Sequence, residues 1–167
     1  MKNIVLIGMP GAGKSTVGVL LAKTLLMDFT DTDLIIQRKT QKALCEIINE
    51  NGTEYFISLE EKIILGEQFE NSVIATGGSV VYGEKAMESF SENSVIIYLK
   101  VELPELIKRL GDITTRGIAM DKGTGIPELF DARSPLYEKY AHITIDCTGK
   151  TPEECVNMIS EEIAKEI

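Results

Sequence analysis

The chain alternates short, unbroken apolar runs with longer stretches in which apolar residues recur every three or four positions. Residues 4–7, Ile-Val-Leu-Ile, contain no polar side chain, the mark of a strand covered on both faces. In residues 14–26, Val17, Leu20, Leu21, Thr24 and Leu25 fall at helical spacing, which completes a first strand–helix unit. A second short strand is expected over 29–33, ending at two carboxylates. Helices are expected over 34–39, 44–50 and 55–69, broken by polar residues and by Asn51-Gly52. Residues 73–76 read as a strand cut off by Gly77-Gly78, followed by a short helix at 85–90 and a buried strand at 95–99. Pro104 stands in the first turn of a helix reaching residue 110. Residues 111–125 hold four glycines and little apolar periodicity, so they read as a mobile loop. A short helix over 134–140 and a last strand over 143–145 precede Thr151-Pro152-Glu153-Glu154, which opens a C-terminal helix with an N-cap, a proline and early acids. Strands alternating with helices predict a three-layer α/β/α fold around a five-stranded, parallel sheet, with ligands at the carboxyl ends of the strands.

Composition narrows the partners. At 167 residues and 44% apolar content, the chain suits one domain, 1–167, with a real core. A formal charge of -9 argues against nucleic acid or an anionic membrane as the main partner, since both need a basic surface. Any bound anion must then be met by a local cluster of positive groups. Cys45, Cys147 and Cys155 are odd in number and widely spaced, which points to buried small residues rather than disulfides or zinc ligands. No stretch reads as a signal peptide or a membrane span, so the cytoplasm is the expected location. His142, the single histidine, has no partner at ligand spacing and reads as structural; Glu60-Glu61 and the acidic C-terminal helix read as solvated surfaces.

Between the first strand and the first helix lies Gly8-Met9-Pro10-Gly11-Ala12-Gly13-Lys14-Ser15-Thr16, which fits the phosphate loop G-x-x-x-x-G-K-[ST] at every fixed position. Its glycines let consecutive backbone N–H groups turn toward one polyphosphate, and the helix that follows adds its own free donors and the positive end of its dipole. Gly11, Ala12, Gly13, Lys14, Ser15 and Thr16 are thus the nucleotide contacts. Lys14 would bridge the outer phosphates, and the Ser15 hydroxyl would ligate Mg²⁺.

Other strand ends respond to this ligand. Asp31 and Asp33, two apart, would point the same way in an extended segment, one toward hydrated Mg²⁺ and one toward an attacking hydroxyl; the competing reading is a solvated pair capping the next helix. Thr76-Gly77-Gly78-Ser79 offers bare backbone against which a small molecule can lie. Arg116 could reach a transferring phosphate, and Arg133 could clamp an acidic acceptor.

Taken together, Gly8 to Thr16, Asp31-Thr32-Asp33, Tyr55-Phe56-Ile57-Ser58-Leu59-Glu60, Ala75-Thr76-Gly77-Gly78-Ser79, Arg109, Arg116 and Arg133-Ser134-Pro135-Leu136-Tyr137 resemble, in order and spacing, the shikimate kinase family of the nucleoside-monophosphate-kinase-like P-loop kinase fold. The resemblance implies ATP and Mg²⁺ at Lys14 and Ser15, with Asp31 in the outer shell of the metal. It further implies that Asp33 steers the attacking hydroxyl, that the Gly77-Gly78 backbone and Arg133 hold the acceptor, that Arg109 packs on adenine and that Arg116 is the lid arginine. The acceptor-binding part would be about 32–62 and the lid about 111–125. Catalysis would rest on positioning and charge neutralisation, with Lys14, Asp33 and Arg116 as its residues.

The chain also departs from the family pattern, and these departures bear chiefly on the acceptor. Ile57 replaces an arginine that shares the acceptor carboxylate, Ser79 replaces a third glycine, Val19 replaces an arginine, and Gly117 stands where proline is common. Losing one charge-assisted contact costs roughly 1.5–3 kcal/mol, or about ten- to a hundredfold in affinity. These changes favour, by a narrow margin, a kinase of this build acting on another small hydroxylated acceptor, with authentic shikimate kinase as the alternative and Glu60 pairing with Arg133 in the altered pocket. A regulatory nucleotide binder without turnover would have no use for Asp33 and Arg116. A GTP switch lacks its Asn-Lys-x-Asp base reader here, and nucleoside monophosphate kinases surround their acceptor with more arginines. A monomer is expected, with a homodimer as the alternative.

Overall fold

An apolar strand with no polar position has to be covered on both sides, and the computed structural model, which describes residues 2–111, 118–121 and 123–166, places such a strand at the centre of a sheet. In chain order the elements are β1 (Asn3–Ile7), α1 (Lys14–Leu25), β2 (Asp28–Asp31), α2 (Thr32–Thr40), α3 (Leu44–Asn51), α4 (Thr53–Gly66), β3 (Ser72–Ala75), α5 (Glu84–Asn93), β4 (Ser94–Lys100), α6 (Leu103–Leu110), α7 (Ile126–Tyr140), β5 (Ile143–Asp146) and α8 (Pro152–Glu166). The strands lie in the order β2-β3-β1-β4-β5, with every neighbouring pair parallel. Leu6 of β1 stands between Ala75 of β3 and Ile97 of β4, and β1 is buried along its whole length.

The topology decides where a ligand can sit. From β1 the chain crosses over β3 to β2, returns to β3, and then adds β4 and β5 on the other side of β1. The loops after β1 and β3 therefore diverge and leave a crevice at the carboxyl edge of the sheet. Helix α1 packs on β2 and β3 with α8 beside it, while α5 lies on β4 and α4 on α5. A separate cluster of Ile35, Ile36, Ile47, Phe56, Ile63 and Ala119 ties α2, α3 and α4 together beyond the sheet. Full burial of one such isoleucine or phenylalanine contributes roughly 1.5–3 kcal/mol, which is what makes these helices a fixed wall of the crevice.

Three sequence expectations are corrected. Strand β2 ends at Asp31, so Asp31 and Asp33 are not an extended pair: the Asp31 carboxylate accepts the Asp33 N–H at 2.9 Å and starts α2 as its N-cap. Helix α7 begins well before residue 134; its start signal is Gly125-Ile126-Pro127-Glu128, where the Gly125 N–H donates to Glu128 Oε2 at 3.0 Å. Ser134-Pro135 reads as a helix start in sequence, yet Pro135 lies inside the helix, which continues through it. Cys45 is half-buried, unlike the buried Cys147 and Cys155. At α8 the expected cap is present, with the Thr151 hydroxyl accepting the Glu154 N–H at 3.2 Å and Glu154 Oε2 accepting the Thr151 N–H at 2.7 Å. His142 has the structural role expected, its Nδ1 accepting the Ile96 N–H at 3.0 Å. No helix among the described residues is long and apolar enough to cross a membrane.

Candidate active site

The crevice is a cleft of about 540 Å³ lined by the phosphate loop, the Thr76–Ser79 turn and side chains from α2, α4, α6 and α7. At its floor, Gly13 stands at the start of α1 with φ 91°, a left-handed conformation that strains any residue with a Cβ. This geometry turns the free N–H groups of α1 toward the cleft. Lys14 is buried, and its ammonium donates to the carbonyls of Gly8 at 2.7 Å and Met9 at 2.9 Å. Burial, only partly offset by the nearby Asp33, lowers its pKa to about 8.

Ser15 and Asp31 meet across the mouth of the loop, the Ser15 hydroxyl donating to Asp31 Oδ2 at 2.8 Å. Asp31 therefore does both things considered for it, capping α2 with one oxygen and facing Ser15 with the other. A hydroxyl and a carboxylate side by side are hard oxygen donors, suited to Mg²⁺, which takes most of its ligands from water and phosphate. Among the described residues no group of three or more acidic, histidine or cysteine side chains competes for that role. The donor set thus fits a magnesium–nucleotide complex. At the other end of the loop, Arg109 donates to the Gly11 carbonyl at 3.1 Å and pairs with Glu105 at 3.3 Å, so its guanidinium is held against the phosphate loop.

Opposite lie Asp33, Glu60 and Arg133. Asp33 is half-buried in the first turn of α2, and burial followed by repulsion from Asp31 raises its pKa to about 6. Gly77 separates it from Glu60: a Cβ on Gly77 would stand 2.9 Å from both Asp33 Oδ1 and Glu60 Oε2. One position on the cleft wall is therefore within reach of both carboxylates. On the other side of the turn, Arg133 is almost fully buried. Its Nη2 donates to the Ala119 carbonyl at 2.6 Å, its guanidinium carbon lies 5.5 Å from the Tyr82 ring centroid, and its Nη1 would be 2.9 Å from a Cβ on Gly78. Tyr137, four residues on, donates its hydroxyl to the Gly78 carbonyl at 2.6 Å. Two neighbours on one face of α7 thus lie against the glycine turn, and Tyr137 is bonded to it.

Ser79 is in the expected turn, but its bond to Glu60 is not among the expectations, which made Glu60 a solvated surface acid or a partner of Arg133. Glu60 is not a solvated surface acid: it is 1% exposed, with Oε1 accepting the Ser79 hydroxyl at 2.7 Å. Burial raises its pKa to about 7, against the hydrogen bond from Ser79. Nor does it pair with Arg133, since no nitrogen–oxygen contact within 4.0 Å joins them. Its neighbour Glu61 is half-buried and accepts the Lys85 N–H at 3.0 Å, at the start of α5. A signal for Glu60 was present in the helical period, because Phe56, Glu60, Ile63 and Ile64 share the buried face of α4. Ile57 is half-buried and does not line the cleft, while the neighbouring Phe56 does. Arg116 and Gly117 lie outside the described residues, as do the other residues of 112–117 and Lys122 in the expected lid.

A P-loop kinase fold with a phosphate loop facing a carboxylate and a buried arginine is the class that this architecture defines. The comparisons give the family within it. The sequence profile described as Shikimate kinase matches residues 10–164. Shikimate kinases of Thermodesulfovibrio yellowstonii and Caldanaerobacter subterraneus are 40% and 37% identical, in each case over 99% of this chain and 95% of the relative. Among solved structures, shikimate kinase from Acinetobacter baumannii in complex with shikimate superposes with a TM-score of 0.91 at 27% identity, covering 99% of this chain and 94% of that one. The Aquifex aeolicus enzyme gives 0.82 at 30% identity, over 98% and 97% of the two chains. The chain belongs to the shikimate kinase family.

Proposed function

We propose that this chain is an ATP-dependent shikimate kinase, transferring the γ-phosphoryl group of ATP to a hydroxyl of shikimate to give shikimate 3-phosphate. The observation that carries the reading is the meeting of Lys14, Asp33 and Arg133 in one cleft, in a chain whose relatives bear that name over nearly their full length. The expectation of a different acceptor rested on Ile57. It loses its support, because the relatives favour shikimate and a buried Arg133 still stands ready for a carboxylate.

In this reading the loop amides and Lys14 hold the phosphate chain, while Ser15 and Asp31 hold Mg²⁺, which neutralises charge on the phosphates when bound. Arg133 anchors the acceptor carboxylate, and the Gly77-Gly78 backbone lets the ring lie close. Asp33 accepts a hydrogen bond from the attacking hydroxyl and takes its proton as the new P–O bond forms and ADP departs. Arg109 beside the adenine and Arg116 at the transferring phosphoryl group complete the assignment on the family resemblance. A loose transition state asks little of Asp33 as a base, so its task is chiefly orientation. Because Asp33 must be ionised to accept the proton, kcat is expected to fall as pH drops through about 6.

The test is an ADP-release assay run with shikimate and with other small polyols and hydroxy acids, the product identified by mass. Shikimate-dependent release with a phosphorylated shikimate is the expected result. Release with another acceptor and none with shikimate overturns the reading, and no release with any acceptor returns the chain to a silent nucleotide binder.

A further inference from the structure

Glu60 and Ser79 form a buried pair with an unusual division of hydrogen bonds. Ser79 lines the cleft and is 4% exposed, and its one proton is given to Glu60 Oε1 at 2.7 Å. The other carboxylate oxygen, Oε2, is buried and has no hydrogen-bond partner among the described residues. The charged groups facing Glu60 come from three other elements: Asp33 on α2, Arg133 on α7 and Lys14 at the start of α1. Neither cation is within ion-pairing distance of it. Ser79 and Arg133 line the same cleft, on either side of Gly78, against which Arg133 Nη1 is turned.

A hydroxyl has one proton to give. While Glu60 is ionised it takes that proton's hydrogen bond, and Ser79 shows the cleft only lone pairs, which repel a carboxylate. When Glu60 carries a proton it becomes the donor to Ser79 Oγ, and the Ser79 O–H is released toward the cleft. Burial, only partly offset by the Ser79 hydrogen bond and by the unpaired Arg133 and Lys14 charges, makes the protonated form accessible near neutrality, with the carboxyl pushed up to about 7.

We propose that Ser79 and Glu60 make acceptor binding proton-linked: a carboxylate-bearing acceptor held by Arg133 binds together with one proton from solvent, which lodges on Glu60 and turns the Ser79 hydroxyl from Glu60 to the acceptor. Ser79 is then a specificity-determining contact and Glu60 the residue that positions its proton. The pair supplies, through a neutral donor, part of what a second arginine would supply through charge. This rests on shikimate being the acceptor.

Calorimetric titration of the wild-type protein with shikimate, in buffers of different ionisation enthalpy, reads the proton directly. Uptake should approach one proton per shikimate near about pH 8 and fall toward zero near about pH 6, where Glu60 is already protonated, with affinity weakening by up to about tenfold per pH unit above about 7. Glu60→Gln, a neutral mimic of the protonated form, should abolish the uptake and hold the low-pH affinity across the range. Ser79→Ala should raise KM for shikimate about tenfold at low pH, change it little at high pH, and lower kcat far less. Binding without proton uptake at the higher pH overturns the linkage and leaves the kinase reading intact, as does full uptake in Glu60→Gln. Should that variant fail to fold, the wild-type titration and Ser79→Ala still decide. Absence of shikimate binding at every pH overturns both.

Discussion

The two ends of the cleft are built in different ways. The phosphate end is made of consecutive residues on one loop: its donors are backbone amides, and its single buried cation is held by two carbonyls of that loop. The other end is made of groups that arrive from α2, α4, α7 and the Gly77-Gly78 turn, far apart in sequence, and it keeps the Glu60 carboxyl and the Arg133 guanidinium out of water beside a half-buried Asp33. A contiguous backbone site tolerates substitution around it, because each amide is placed by local conformation. A dispersed side-chain site changes character with a single residue. That contrast explains why the loop matches its motif at every fixed position while the departures at Ile57 and Ser79 fall on the acceptor side.

The largest effect should come from breaking the contiguous end. Lys14→Ala removes the one side-chain cation of the loop and should lower kcat by about a thousandfold or more, on the order of 4 kcal/mol of transition-state stabilisation, with the circular dichroism spectrum and thermal transition retained. Turnover close to wild type in the ADP-release assay would place the chemistry elsewhere.

A smaller effect should follow from relieving the dispersed end. Glu60 and Asp33 have pKa values raised by burial, so the stability they contribute is fully present below the unfolded-state value near 4.5 for Glu60 and 3.8 for Asp33, and is lost as pH rises through about 7 and about 6. Glu60→Gln removes one of these groups and should stabilise the protein by roughly 1–3 kcal/mol above about pH 7.5, with the gain vanishing near about pH 5. Thermal melts across that range check it. A variant less stable than wild type at the alkaline end would mean that the ionised carboxylate is compensated after all.

The smallest effect sharpens the contrast. Ile57→Arg returns a cation three residues from Glu60 on α4, close enough in a helix to hold that carboxylate ionised. KM for shikimate should fall by up to about tenfold, and the pH dependence of binding should flatten. An unchanged KM would mean that position 57 does not reach the acceptor even with a long side chain.

Much of this was readable before any coordinates. The central strands β1, β3 and β4 are short and largely apolar and most helices keep their period, so these elements announce themselves through local pattern, whereas β2, Asp28-Phe29-Thr30-Asp31, carries one apolar residue. The phosphate loop is legible for the same reason, since its function follows from backbone geometry that glycine spacing encodes. The misreadings have local causes too. Ser134-Pro135 imitates a helix start in the middle of α7, and Asp31-Thr32-Asp33 looks like an extended pair because nothing in the residues says that the strand stops at the first aspartate. Arg116 was read from its loop and lies outside the described residues.

By itself the chain determined its class: a parallel sheet, a polyphosphate grip at the tip of the first strand, and a family pattern with an altered acceptor side. What required the tertiary structure was the state of the acceptor end. The helical period of α4 sets Glu60 on the face it shares with Phe56, Ile63 and Ile64, but whether it meets Arg133 or Ser79 depends on how α4, α7 and the glycine turn converge. Burial is set by distant neighbours, and with it the energy of a charge, so no reading of residues in order could have assigned Glu60 its pKa near 7.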